Sequence, residues 1–260
     1  MKRLLPALVA LLLVPAFARA EVKTEKIEYM QGTTVCEGWY SYDDAIKGPR
    51  PGVLIVHDWL GLSDYQKMRA EMLAKLGYAA LACDLYGKGV RPANAQEAGA
   101  EAAKFYQNRA LLRSRARAGL DELASRAQVD RAKLAVIGYC FGGMGALELA
   151  RSGAPVVAVV TFHGALNNPT PEDAKNIRGS VLVLHGADDP FVKQDEVTKF
   201  MDEMRAAGKD WELVQYSGAV HSFSDKRAGD DNSKGAAYNA TADRRSWQAM
   251  KDFLAERFGQ

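Results

Sequence analysis

The sequence predicts an α/β domain built on a mostly parallel central sheet with helices packed on both faces. Three observations carry that expectation. Short apolar runs rich in β-branched residues alternate with helix-patterned segments, as strand–helix–strand crossovers require. Most of those runs are apolar at consecutive rather than alternate positions, which suits strands covered on both sides. No internal repeat, low-complexity tract or linker interrupts the 260 residues, so the part after residue 20 is expected to form one domain with one core.

The first twenty residues stand apart. Lys2 and Arg3 precede an apolar run over residues 4–17 that closes on Ala18, Arg19 and Ala20, the charged start, short apolar middle and small-x-small end of a secretory signal peptide. The run is too short to span a bilayer comfortably. Cleavage after Ala20 is therefore expected, giving an exported mature chain, periplasmic or secreted, that starts at Glu21 and has no membrane span. From there, residues 33–42 read as an early antiparallel strand, and residues 53–56, 78–82, 134–137, 156–161, 181–184 and 212–216 as sheet strands. Helix starts are marked by capping boxes at Ser63 with Gln66 and at Asn94 with Glu97, and by Thr170 followed by Pro171 at the first helical position. A last helix, residues 242–257, sets Trp247, Met250 and Leu254 on one face and Arg244, Arg245 and Lys251 elsewhere, so it packs on the sheet.

Removing Lys2, Arg3 and Arg19 from the 34 bases leaves 31 against 32 acids, so the basic balance of the full chain belongs to the signal. No basic run with interleaved aromatics remains, which excludes nucleic acid and an anionic membrane surface as implied partners. The cysteines, at 36, 83 and 140, are odd in number, so in an oxidising compartment at least one is free or paired between chains. No CxxC and no Cys/His spacing for zinc occurs, and neither a metal nor a cofactor is expected. Nothing in the residues sets an oligomeric state.

Function is concentrated around one cysteine. At the end of the strand over 134–137 stands GYCFGG, Gly138 to Gly143, followed at once by a helical run. This is the nucleophile-elbow pattern: a sharp strand-to-helix turn needs glycines two before and two after the nucleophile, where side chains would collide with the neighbouring strand and helix. The helix start adds unpaired N–H groups and a positive dipole end, favouring a thiolate and a tetrahedral oxyanion. A carboxylate and a histidine are expected on later loops, in that order. HGADDPFV supplies Asp188 and Asp189, and SGAVHSF supplies His221. His57, His163 and His185 also sit at strand ends; His163 and His185 read as supporting or packing residues, leaving His221 as the base.

Together GYCFGG, HGADDPFV and VHSF resemble the dienelactone hydrolase family of the α/β-hydrolase fold, with Asp189 lying 49 residues after Cys140 and His221 another 32 beyond. The resemblance covers nearly the whole mature chain. It implies a Cys140, Asp189 and His221 triad, selects Asp189 over Asp188, and points to a small-molecule ester or lactone as substrate. In VLIVHDWLGLSDY it puts Asp58 where the family pairs a glutamate with the resting thiol, and Trp59 where the family supplies an oxyanion-hole N–H beside that of Phe141. Where the archetype holds its substrate carboxylate with an arginine four residues after the histidine, this chain has Asp225; Lys226, Arg227 and Lys88 are either a shifted anion site or solvated surface charges. Trp59, Tyr86 and Phe223 are either pocket walls or core, and residues 228–238 read as a long loop beside His221 that could serve as a lid. Two other classes stay open: a thiol redox protein using Cys140, and a binding protein that kept the fold without turnover.

Overall fold

A computed structural model describes residues 21–260, so the expected signal peptide lies outside the described residues. Eight strands, β1 (Val22–Gln31), β2 (Thr34–Asp43), β3 (Arg50–Val56), β4 (Ala79–Cys83), β5 (Val129–Tyr139), β6 (Ala158–Phe162), β7 (Ser180–Gly186) and β8 (Trp211–Tyr216), form one sheet. Their order is β1-β2-β4-β3-β5-β6-β7-β8. Only β1 with β2 and β2 with β4 run antiparallel; every neighbouring pair from β4 to β8 is parallel. Among the described residues six α-helices complete it: α1 (Asp64–Lys75), α2 (Ala95–Gln107), α3 (Arg109–Ser125), α4 (Phe141–Arg151), α5 (Gln194–Ala206) and α6 (Ala240–Phe258).

The consecutive apolar runs have a direct cause in this layering. Leu54 and Val56 of β3 face a core shared with α2, α3, α4 and α5, while Val53 and Ile55 face a second core shared with α1 and α6. Each of those four side chains is wholly buried, and full burial of such a side chain contributes about 1.5–3 kcal/mol. The expected mostly parallel sheet with helices on both faces is therefore present. No helix among the described residues is long and apolar enough to cross a membrane.

Three local expectations need correction. The first strand, β1, has no counterpart in the sequence reading, because only Ile27 and Tyr29 of its ten residues are buried and the rest is edge. Tyr29 nevertheless ties it in: its hydroxyl accepts from the Asp84 N–H at 2.9 Å and donates to the Asp84 carbonyl at 3.1 Å. Ser63 and Gln66 do form the capping box of α1, but at α2 Glu97 reaches past Asn94 to the Ala93 N–H, leaving half a box. Thr170 caps no backbone; Pro171–Asn176 is a short 3-10 helix, and the Thr170 hydroxyl turns to Asp173.

Beneath α4 lies a buried ion cluster. Arg151 is fully buried and donates to both Glu203 oxygens, at 2.9 and 2.8 Å, and to Glu148 at 3.2 Å, while Glu148 also takes Arg113 of α3. Removing one partner strands charges away from water. Arg151→Met is therefore expected to cost about 3–5 kcal/mol, read as a lower urea midpoint at unchanged m-value; a loss below about 1 kcal/mol would show the carboxylates find other partners.

Candidate active site

Cys140 sits between the last residue of β5 and the first of α4 at φ 55 and ψ −119, a left-handed conformation that is costly for any residue with a Cβ. The glycines around it are demanded by contact. A Cβ on Gly138 would lie 1.9 Å from the Gly142 carbonyl oxygen, and one on Gly142 would lie 2.3 Å from the Val56 carbonyl oxygen. The Cys140 N–H donates to the Phe162 carbonyl at 3.0 Å, fastening the turn to β6.

The loops after β7 and β8 bring the other two residues to the sulfur. His221 Nε2 lies 3.0 Å from Cys140 Sγ, and His221 Nδ1 lies 2.7 Å from Asp189 Oδ2. The other Asp189 oxygen accepts from the N–H groups of Phe191 and Val192, so the carboxylate is fixed at both ends. Asp188 instead is exposed and accepts from the Gly218 N–H at 3.0 Å, closing the turn after β8. His221 is held by its backbone too: its N–H donates to the Gly235 carbonyl and its carbonyl accepts from Ala237. Residues 228–238 are thereby bridged to the histidine. Arg69 of α1 secures the same loop, donating to the Ser224 carbonyl at 2.8 Å and to Asp243 at 2.7 Å while stacked on Tyr65, Tyr139 and Trp247.

Burial works against a charged His221, but a negative Cys140 sulfur and the Asp189 hydrogen bond outweigh it and push the imidazole up to about 10. The other histidines go the opposite way. Burial holds His163, His185 and His57 below the ordinary histidine range, with the His221 charge adding to the effect on His163. His57 accepts from the Leu85 N–H at Nε2, which leaves Nδ1 to donate to the Asp58 carbonyl. His163 binds Ser224 Oγ through Nε2, while its Nδ1 is buried without a partner.

Phe141, the first residue of α4, has an N–H with no acceptor inside the helix. The peptide of Trp59 is fixed nearby by the Tyr86 hydroxyl, which donates to the Trp59 carbonyl at 2.8 Å. Cys140 and Trp59 line two cavities at once. One, about 570 Å³, is walled by α2, Phe141, Phe191 and Val192 and contains no aspartate, glutamate, lysine or arginine. The other, about 180 Å³, is lined by Asp58, Asp225, Arg227 and His163 among others. A larger hollow of about 720 Å³ over α5 touches neither Cys140 nor His221.

Several expected site residues stand elsewhere. Asp58 does not pair with the thiol: its oxygens accept from Leu60 N–H, Gln66 Nε2 and, at 2.7 Å, Arg227 Nη2. Phe223 is wholly buried against His163 and Tyr216, part of the core rather than a wall. Tyr86 is likewise packed inside, against His57, Phe105 and Phe141, and lines neither cavity beside Cys140. Lys88 pairs with Glu28 of β1 at the surface and lines neither cavity. Arg227, left open by the sequence, does line the smaller one. His163, expected as a supporting or packing residue, lines the smaller cavity at a backbone φ of 42 that no sequence signal announces. Cys36, under Arg115, and Cys83 are both buried and free.

The model of the dienelactone hydrolase family matches residues 40–258. The chain belongs to the dienelactone hydrolase family. A dienelactone hydrolase-like promiscuous phosphotriesterase from metagenomic libraries is 44% identical, with TM-score 0.88 over 92% of this chain and 100% of that one. An uncharacterized Caenorhabditis elegans protein is 36% identical over 152 residues, 56% of this chain and 94% of its own. The dienelactone hydrolase of Anabaena variabilis, 21% identical over 88% of this chain and 98% of its own, shares the fold at TM-score 0.64. Family membership makes the protein a hydrolase of small molecules.

The electrostatics of the pair are testable by NMR. The His221 ring protons are expected to titrate with a midpoint well above the ordinary ~6.5, and Cys140→Ser should drop it by removing the sulfur's charge. A midpoint unchanged by Cys140→Ser would show that the sulfur is not its cause.

Proposed function

We propose that the protein is an exported hydrolase of activated carboxylic esters or lactones, with Cys140 as nucleophile, His221 as base and acid, and Asp189 as the residue that orients it. The observation supporting this most directly is the continuous contact from sulfur to imidazole to carboxylate, set on a strained turn between two cavities. His221 Nε2 takes the thiol proton and the sulfur attacks the carbonyl carbon. The N–H groups of Phe141 and Trp59 hold the oxyanion. Collapse expels the enolate, phenolate or thiolate, which takes the proton from the imidazolium and leaves a thioester. A water then gives its proton to His221 and attacks the thioester; the sulfur leaves and recovers that proton. Asp189 keeps Nδ1 protonated and facing it throughout.

The nucleophile narrows the substrate class. A thiolate leaves more readily than an amine or simple alkoxide, so forward collapse needs a leaving group that is itself stabilised, such as an enolate, phenolate or thiolate. Peptides are disfavoured on that ground. A second reading, hydrolysis of uncharged phosphotriesters, is supported by the relative described as a promiscuous phosphotriesterase and by a 570 Å³ cavity that has no aspartate, glutamate, lysine or arginine beside Cys140 and His221. The redox reading has no accessible second thiol to support it among the described residues, since Cys36 and Cys83 are both wholly buried. Export is supported by the charged and apolar pattern of residues 1–20; N-terminal sequencing of the protein from the extracytoplasmic fraction should begin at Glu21, and an intact Met1 there would refute cleavage.

Hydrolysis of p-nitrophenyl acetate should be sensitive to iodoacetamide and fall at least about a thousandfold in Cys140→Ala, while Asp189→Asn, which permits the wrong tautomer, should lose about 10²–10⁴ in kcat. Full turnover in Cys140→Ala would remove the central assignment.

A further inference from the structure

We infer that the small cavity beside Cys140 selects against negatively charged substrates, with Asp58, Asp225 and Arg227 setting that selection. The inference builds on the ester-hydrolase reading and adds the charge class of its substrate. Two acids and one base line this cavity, for a formal net charge of −1. Cys140 and His221 beside them form a pair of opposite sign or a neutral pair, and His163 is kept uncharged by its burial. The larger cavity adds no aspartate, glutamate, lysine or arginine.

Arg227 is the one residue here that could receive an anion, and four of its five N–H groups are already engaged, which leaves a single Nη1 N–H. Its Nε donates to Asp225 at 3.0 and 2.9 Å, Nη2 to Asp225 at 2.6 Å and to Asp58 at 2.7 Å, and Nη1 to Ser63 Oγ at 2.9 Å. A guanidinium has five N–H groups and grips a carboxylate through two of them on one edge. The Nε edge is filled by Asp225, and on the other edge Asp58 and Ser63 take one N–H each. Arg227 is thus a strut between the loop after β3 and the loop after β8. Lys226 does not replace it: it is exposed and lies over the Tyr238 ring, outside this cavity. Apart from Asp58, Asp225 and Arg227, the lining side chains carry no carboxylate, lysine or arginine: Trp59, Leu60, Tyr65, Tyr139, Cys140 and His163 make up most of it. A neutral polar group suits that lining, and a carboxylate meets an unbalanced acid.

The test uses two alkylating agents of nearly equal size, iodoacetamide and iodoacetate, so it does not require turnover. Their rates at Cys140 are followed by peptide mass mapping, with glutathione giving the intrinsic ratio of the two reagents. The ratio of neutral to anionic rate should exceed that of glutathione about tenfold, the scale of one unit-charge repulsion at a partly solvated site. It should narrow as ionic strength rises and narrow again in Asp225→Asn. A ratio equal to or below that of glutathione overturns the inference, as does an excess that responds neither to salt nor to the substitution. The salt series needs no variant, so misfolding of Asp225→Asn leaves the inference exposed to refutation. In parallel, p-nitrophenyl methyl succinate should exceed p-nitrophenyl hemisuccinate in kcat/KM by a similar factor. Alkylation selectivity without hydrolysis of either ester would refute the ester reading while upholding the charge rule; hydrolysis of both at equal rates with equal alkylation would do the reverse.

Discussion

Between β5 and α4 the chain turns so tightly that α4 starts against the carbonyl ends of β3, and two glycines keep backbone from overlapping backbone. That close approach is the condition under which Cys140 projects from the sheet with a free helix N-terminus beneath it. The parallel strands matter because they end together at this edge. The position of the sulfur is set by the sheet, and the other site residues are brought to it by loops.

Those loops are held from several directions. Asp189 is fixed by two backbone N–H groups of its own turn, His221 by a bridge to Ala236, and the following Ser224 by Arg69 of α1. The imidazole therefore meets a carboxylate and a sulfur that are each anchored to different strands. Fixed partners of this kind need little rearrangement during reaction, which is how electrostatic stabilisation becomes effective. The buried Arg151 cluster gives α4 the same rigidity from the opposite end.

Much of this was legible in the residues because it depends on local pattern. Strands apolar on both faces, glycines at fixed offsets from Cys140 and the chain order of Asp189 and His221 are each written in short segments. The edge strand β1 was not, since half-exposed alternation with Lys23, Glu25, Lys26 and Glu28 looks like surface. Nor was the fate of Asp58, whose partner Arg227 lies 169 residues away and reaches it only because of a short 3-10 turn at Lys226–Ala228. Phe223, Tyr86 and Lys88 show the same limit: a residue close in sequence to a functional loop can point into the core or across the surface.

Cys140, His163 and Ser222 are the non-glycine residues with positive φ among the described residues, and all three line the small cavity. Such conformations cost on the order of 1–3 kcal/mol each. Replacing Ser222 by glycine would relieve one of them, yet it would also loosen the residue that follows His221. Heat tolerance and reactivity are thus set against each other in one place, and attempts to toughen this protein have more freedom at the β1 edge and the helix surfaces than around its cleft.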